Sequence, residues 1–215
     1  MKKVLISGVT GQTASYMVDH LLKSTDHEIY GIVRRLSVPN HRNIQHNLNN
    51  PRFKLVTGDL TDGTSIGKMV QEIQPDFFLN FAAQSFVGIS WQIPELTMDV
   101  NCLGVLRCLE AIKKYAPNCR FYSSGSSEED GKVEYSPQDL EHPPHPMSSY
   151  AVSKVCARYL VQVYRESFGL FAVHCRCHNH ESERRGHEFV TRKITLGVAR
   201  IYHAIKNINH LNWNL

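Results

Sequence analysis

The chain has 215 residues, 42% of them hydrophobic and 20% charged, with a net charge of +4 and 12 histidines. A chain of that length can bury one good core, or a core plus a small appendage, and that composition excludes a disordered polymer. So mild and scattered an excess of positive charge gives no basis for nucleic-acid binding.

Met1-Lys2-Lys3 leads into an apolar run, but Gly8, Gly11 and Gln12 break it and no small-residue cleavage site follows, so no secretion signal is expected. No stretch approaches the length of a membrane span. Lys3–Ser7 reads as a short strand that runs into Gly8-Val9-Thr10-Gly11-Gln12-Thr13-Ala14 and then an amphipathic helix to about residue 23. Strand, glycine turn and helix in that order are the context of a dinucleotide fingerprint, here G-x-x-G-x-x-A. Gly8 and Gly11 let the backbone approach phosphates, and the helix N-terminus meets the pyrophosphate with free N–H groups. A plain strand-to-helix turn is the alternative.

Glu28–Val33 is predicted as the second strand, ending in Arg34-Arg35. An acidic residue about 20 residues past the glycines would suit the ribose hydroxyls of NAD. Two arginines at that place suit a 2′-phosphate, so NADP is inferred over NAD, with an exposed basic strand end as the alternative. Residues 36–51, which carry Arg42, lack periodicity and read as a long loop. Phe53–Thr57 is the third strand, followed by Gly58-Asp59-Leu60, where Asp59 can accept from an adenine amino group.

A helix over 65–73 leads to a strand over 76–81 and then Ala82-Ala83-Gln84-Ser85, whose small alanines admit a flat ligand. Residues 96–115 read as one long helix with Val100, Leu103, Leu106, Leu109 and Ile112 in its core stripe. A strand over 119–123 opens into Ser124-Gly125-Ser126-Ser127-Glu128-Glu129-Asp130-Gly131. Ligands of open parallel sheets sit outside the strands' carboxyl ends, which places this cluster beside the nicotinamide. Ser126 can hydrogen-bond a substrate hydroxyl, and Glu128 can act as a general base if burial raises its pKa. Taken alone, the cluster reads as a flexible acidic turn; the downstream Tyr150 and Lys154 favour the functional reading. Pro143, Pro144 and Pro146 form a rigid approach to the helix Ser149–Phe168, on which Tyr150 and Lys154 lie one turn apart. An ammonium at that spacing favours the phenolate and lowers the tyrosine pKa, so the pair can exchange protons with a substrate hydroxyl.

Residues 171–178 read as a sixth strand. Along it His174, Arg176 and His178 face one way and Cys175 and Cys177 the other, so the soft ligands are split and no second pair stands at zinc spacing. No metal is assigned. The six cysteines, Cys102, Cys108, Cys119, Cys156, Cys175 and Cys177, show no disulfide-like framework and read as reduced thiols of a cytoplasmic protein. Strands and helices alternate throughout. The expected fold is therefore α/β, a Rossmann-type doubly wound parallel sheet. Residues 1–178 form its NADP-binding domain and carry the catalytic groups, and 179–215 form part of a substrate-binding segment.

The motifs G-V-T-G-Q (8–12), G-I-V-R-R (31–35), A-A-Q-S-F-V-G (82–88), S-S-E (126–128), Y-A-V-S-K (150–154) and N-H-E-S-E-R-R-G-H-E-F-V-T-R-K-I-T (179–195) resemble the extended short-chain dehydrogenase/reductase family. Within it they are similar to the sugar-nucleotide 4,6-dehydratases that act on GDP-mannose, over nearly the whole chain. The resemblance implies a lyase of deoxysugar biosynthesis. Tyr150, helped by Lys154, takes the C4 hydroxyl proton while hydride passes to NADP; Glu128 removes the C5 hydrogen; water leaves from C6 and hydride returns there. The product would be GDP-4-keto-6-deoxymannose. It further implies a cofactor site of Gly8, Thr10, Gly11, Gln12, Arg34 and Arg35, continued by Asp59, Leu60, Ala82, Ala83 and Ser85 and closed by Tyr150 and Lys154. The sugar nucleotide would meet Ser85, Asn179, Glu188, Arg192 and Lys193. In tetramers of the family the 34–42 loop reaches a neighbouring subunit's cofactor. A four-helix dimer seam would use 96–115 and Ser149–Phe168, with Val155, Tyr159 and Val163 available for it.

Four departures from the family's pattern stand out. Serine replaces threonine at Ser126. Ala14 replaces the last glycine of the nucleotide loop, where its methyl is expected to crowd the helix-to-strand contact. Glu129-Asp130 replace Leu-Tyr, adding acids beside the base. Finally, family chains continue well past the end of this one, which falls at Asn212-Trp213-Asn214-Leu215, about where a late strand would lie. Part of the substrate lobe is therefore expected to be absent or supplied by another chain. The rival readings are an epimerase or 4-keto reductase of the same family, or a catalytically inactive NADP-binding or regulatory subunit.

Overall fold

Val4 and Ile6 turn to one face of a central sheet and Leu5 to the other, as strand alternation requires. The structure, a computed structural model, describes residues 1–212, with side chains to residue 205. All six strands run parallel in the order β3-β2-β1-β4-β5-β6. They are β1 (Lys3–Ser7), β2 (Glu28–Val33), β3 (Phe53–Thr57), β4 (Phe77–Asn80), β5 (Arg120–Ser124) and β6 (Ala172–Cys175). This is the doubly wound Rossmann order, and its switch point lies between β1 and β4.

Two apolar layers sandwich the sheet. On one face α1 (Gln12–Ser24) lays Ala14 and Val18 against Val4, Ile6 and Ile29. On the other, α2 (Gly63–Ile73), α4 (Gly104–Tyr115) and α5 (Ser149–Phe168) pack Ile66, Val70, Leu109, Ile112 and Val161 over Phe78 and Phe121. Ala14 is 1% exposed within its cluster. Its methyl packs in the core between α1 and the sheet.

The long loop is anchored in the middle. Ile44 is fully buried against α1's layer, and a short 3₁₀ turn covers Gln45–Asn47. Helix α2 starts two residues before the expected position because the Asp62 carboxylate caps it, accepting from Thr64 N–H at 2.9 Å.

The helix expected over 96–115 is continuous but changes winding within it. A short α3 (Pro94–Met98) passes into a π turn at Asp99–Leu103 before α4 begins. The extra residue of a π turn shifts the helical phase. Leu109 and Ile112 are buried as expected, and Val100 and Leu106 pack against the core, but Leu103 swings out to 43% exposure.

Contacts within the chain form two units, Met1–Asn179 and a second beginning at His180. The second is built on α6 (Val190–Asn212), ahead of which Glu181 pairs with Arg185 at 3.4 Å and accepts from the Thr191 hydroxyl. A late strand was expected at 212–215; Asn212 belongs to α6, and residues 213–215 lie outside the described residues. No helix among the described residues is long and apolar enough to cross a membrane.

Candidate active site

The nucleotide side is built by close approach. Gly8 leaves β1 with φ +67°, and a Cβ there would stand 2.8 Å from the Ala82 backbone nitrogen. Only glycine fits both demands. The Ser7 hydroxyl bridges the same crossing, donating to Asn80 Oδ1 and accepting from Ala82 N–H at 3.1 Å. Helix α1 then starts at Gly11 without a side-chain cap, which leaves its N-terminal dipole aimed past the turn for an anion. Asn43 of the long loop donates to the Thr10 carbonyl at 2.9 Å and holds the rim of this turn. Gly8→Ala should therefore cost about 1–3 kcal/mol of stability, the usual toll of a strained backbone residue, read by urea unfolding. It should also weaken dinucleotide binding.

Arg34 and Arg35 are exposed where β2 ends. Asp59 Oδ1 accepts from Thr61 N–H and from its hydroxyl, both at 2.9 Å, so this carboxylate also shapes its own turn. Leu60 beside it is 5% exposed. After β4, Ala83 is half-buried and Ser85 exposed. Between them Gln84 is gripped by Asn101 of the π turn: Oδ1 accepts from Gln84 N–H at 2.8 Å and Nδ2 donates to Gln84 O at 3.0 Å. The same Nδ2 lies 3.0 Å from Ser153 Oγ. Asn101 thus ties the 82–85 loop to the helix carrying Tyr150 and Lys154. The only trace of it in the sequence is a polar residue inside an apolar helical stretch.

Ser148 caps α5, accepting from Ala151 N–H at 3.0 Å. Tyr150 and Lys154 in its first turns are 7% and 5% exposed. Lys154 Nζ donates to the Ser124 carbonyl at 2.7 Å and stands 5.8 Å from the centre of the Tyr150 ring. Burial pushes the Lys154 ammonium down to about 8, opposed by the charge of Glu129. Burial likewise pushes the Tyr150 phenol up; the Ser126 hydroxyl pulls it down, and Glu129 and Glu128 raise it further. The lysine was expected to lower the tyrosine. Instead desolvation dominates both groups, and the opposing influence on the phenol is the serine.

The acidic cluster forms a 3₁₀ turn at Ser127–Glu129 with Ser126 as its cap. Ser126 Oγ accepts from Glu128 N–H at 3.2 Å, and Glu129 Oε1 accepts from Ser126 N–H at 2.8 Å. Glu128 is exposed, so the condition of burial is not met there; its neighbours Glu129 and Asp130 are 0% and 2% exposed. Strand β6 ends at Cys175, short of the expected 178. His174 and Arg176 turn inward toward these two acids, at 2.9 Å and 2.8 Å. Ser126, Glu128, Tyr150 and Lys154 thus gather at the carboxyl end of β5. Asn179 is exposed beyond β6, and Glu188, Arg192 and Lys193 lie in the second unit, the latter two in the first turn of α6.

Residues 5–211 match the family described as GDP-mannose 4,6 dehydratase. Over 207 residues the chain is 44% identical to the GDP-mannose 4,6-dehydratase of Vibrio cholerae, an alignment covering 93% of this chain and 55% of that protein. The chain therefore spans about half the length of the curated relatives it matches. Among solved structures it superimposes on the dTDP-glucose 4,6-dehydratase DesIV from Streptomyces venezuelae, which holds NAD and TYD, with a TM-score of 0.84 at 21% identity, covering 92% of this chain and 62% of that one. The enzyme WbmH from Bordetella bronchiseptica, in complex with NAD+, gives a TM-score of 0.70 at 28% identity, covering 86% and 58%.

Proposed function

Because the chain belongs to the GDP-mannose 4,6 dehydratase family, we propose that it is a lyase that removes water from GDP-mannose to give GDP-4-keto-6-deoxymannose without net oxidation. The observation that carries this reading is the burial of Tyr150 and Lys154 together beneath the Ser126 turn, with the exposed Glu128 carboxylate at its mouth. The name of the Vibrio cholerae relative supports GDP-mannose as the substrate.

The β1–Gly8–α1 turn fits a dinucleotide pyrophosphate: it approaches Ala82 too closely for any side chain and ends in an uncapped helix start. When bound there, a nicotinamide supplies a hydride acceptor for C4 and a hydride donor for C6. Gly8, Thr10, Gly11 and Gln12 would hold its pyrophosphate, Asp59 and Leu60 its adenine, and Ala82, Ala83 and Ser85 its nicotinamide half. Tyr150 takes the proton of the C4 hydroxyl, with Ser126 donating a hydrogen bond that steadies the charge. Lys154, charged up to pH about 8, favours that charge from below. The C4 ketone acidifies C5–H. Glu128 accepts that proton and passes it to the C6 hydroxyl, which departs as water; once C6 has taken back the hydride, the proton held by Tyr150 goes to C5. Asn179, Glu188, Arg192 and Lys193 bind the sugar nucleotide, the last two from a helix N-terminus suited to its diphosphate.

NADP is the proposed cofactor, on the strength of Arg34 and Arg35. The double substitution Arg34→Ala/Arg35→Ala should weaken NADPH binding about 10- to 100-fold, the worth of a lost charge-assisted hydrogen bond, and leave NADH binding nearly unchanged. Fluorescence titration with the two cofactors checks this. We also propose a homodimer or homotetramer, supported by the exposed Tyr159 and Val163 of α5 and by the exposed Leu96 and Leu103 of the 96–115 segment; Val155, expected on the same seam, is half-buried, and Val152 is exposed instead. A cytoplasmic location is supported by six free thiols.

Incubation with NADP+ and GDP-mannose, followed by mass spectrometry, tests the whole reading. Loss of one water from the sugar nucleotide is the expected result. An unchanged sugar nucleotide, with cofactor binding intact, would make the chain an inactive NADP-binding subunit.

A further inference from the structure

The turn that carries Ser126 and Glu128 is held from below by a carboxylate that takes no part in the proposed chemistry. Glu129 is fully buried. Its Oε1 accepts from Ser126 N–H at 2.8 Å and lies 2.9 Å from His174 Nε2, while the other nitrogen of that ring is 3.2 Å from Ser123 Oγ on β5. The space is filled to contact: a Cβ on Gly125 would meet His174 Nε2 at 2.3 Å and Glu129 Oε1 at 2.4 Å. The next residue repeats the arrangement. Asp130, 2% exposed, stands 2.8 Å from Arg176 Nη1 and 3.6 Å from His142 Nδ1. Arg176 in turn donates to the carbonyls of Asp139 and His142 at 3.0 and 3.3 Å. Backbone bonds close the frame: Ser127 N–H to Cys177 O at 2.8 Å and His145 N–H to Glu129 O at 3.1 Å. Two acids thus fasten one turn to the end of β6 and to the segment that leads into α5.

We propose that Glu129 is a positioning residue, which through the Ser126 amide and His174 sets the turn so that Ser126 meets Tyr150 and Glu128 faces the substrate. A buried polar pair is a poor source of stability, since apolar residues of equal volume commonly serve as well or better. Placed under a reacting turn, its value lies in geometry: an apolar contact is non-directional, whereas a carboxylate oxygen held between the Ser126 amide and the His174 ring permits one orientation. Glu129 also pushes up the proton affinities of both Lys154 and Tyr150, so it stands close enough to the reacting groups for its placement to matter.

The kinetic part of the test rests on the dehydratase reading; the structural part does not. In the apolar double variant Glu129→Met/His174→Leu the melting temperature should stay within a few degrees of the parent. Its kcat should fall about 10- to 100-fold, the equivalent of one lost hydrogen bond to a charged group, with KM and NADPH affinity changed less than about threefold. Glu129→Gln keeps the acceptor oxygen and should recover most of that loss. In parallel, NMR hydrogen exchange at the Ser126 amide should speed up in the double variant and stay slow in Glu129→Gln. A double variant that loses melting temperature but keeps kcat, or a Glu129→Gln as impaired as the double variant, overturns the proposal. Should the parent not turn over GDP-mannose, the dehydratase reading fails alone; the Ser126 exchange rates then decide, and equal rates in parent and double variant overturn the positioning role.

Discussion

Tyr150→Phe is expected to reduce turnover of GDP-mannose by about 10²- to 10⁴-fold, the range of a positioned general acid–base group, while NADPH binding and the melting temperature stay near those of the parent. The phenol is 7% exposed and its hydroxyl meets Ser126, so its removal takes away the only phenolic proton acceptor in this gathering of residues and leaves the ring packed in place. Steady-state kinetics with a parallel cofactor titration checks it. Equal loss of cofactor binding and turnover would assign Tyr150 to cofactor binding instead.

Lys154→Met is expected to abolish turnover and to raise stability at once. The amine is fully buried against the Ser124 carbonyl, and burial brings it from an ordinary 10.5 down to about 8. The shift, at about 1.4 kcal/mol per unit, corresponds to a net cost of roughly 3 kcal/mol for keeping the amine charged in the folded state, after Glu129 has offset part of the desolvation. Losing the hydrogen bond to Ser124 offsets about 1 kcal/mol of this, so the methionine variant should be more stable at pH 7 by about 2 kcal/mol. The sign follows from proton binding. Below pH 8 the amine is charged in both states, and the folded state carries the whole penalty. Between 8 and 10.5 the unfolded chain still holds the proton that the folded chain has released, so the parent gains stability with rising pH. Above 10.5 both are neutral and the penalty is gone. Urea unfolding at pH 7 and at pH 10.5 should show the advantage of Lys154→Met in the first and its disappearance in the second. A variant less stable than its parent at pH 7 would contradict the account.

The sheet was legible because its signals are local. β2 and β3 start and stop where their apolar runs do, and Ser148 marks the start of α5. The π turn was not legible: Val100, Leu103, Leu106, Leu109 and Ile112 keep a spacing that a continuous helix satisfies equally well, and one inserted residue turns Leu103 to solvent. In the acidic cluster, Glu128, Glu129 and Asp130 are consecutive, so no periodicity distinguishes them. Which of them goes inside is decided by His174 and Arg176, 45 and 46 residues further on, which offer partners only to the second and third. Asn101 and Asn43 were missed for the same reason, since their roles exist only across long sequence separations. Burial also reverses the direction expected for Tyr150, because residue spacing shows that a lysine is near but not how much water the pair has lost.

The most direct test of the central claim is to follow the hydrogen on C4. With GDP-mannose deuterated at C4 and protein carrying NADP+, the account requires a product lighter by one water that retains the deuterium, now at C6. Retention at C6 would show oxidation at C4, proton removal at C5 and reduction at C6 within a single site. A product lacking water but also lacking deuterium, or NADPH accumulating in step with an oxidised sugar, would contradict it.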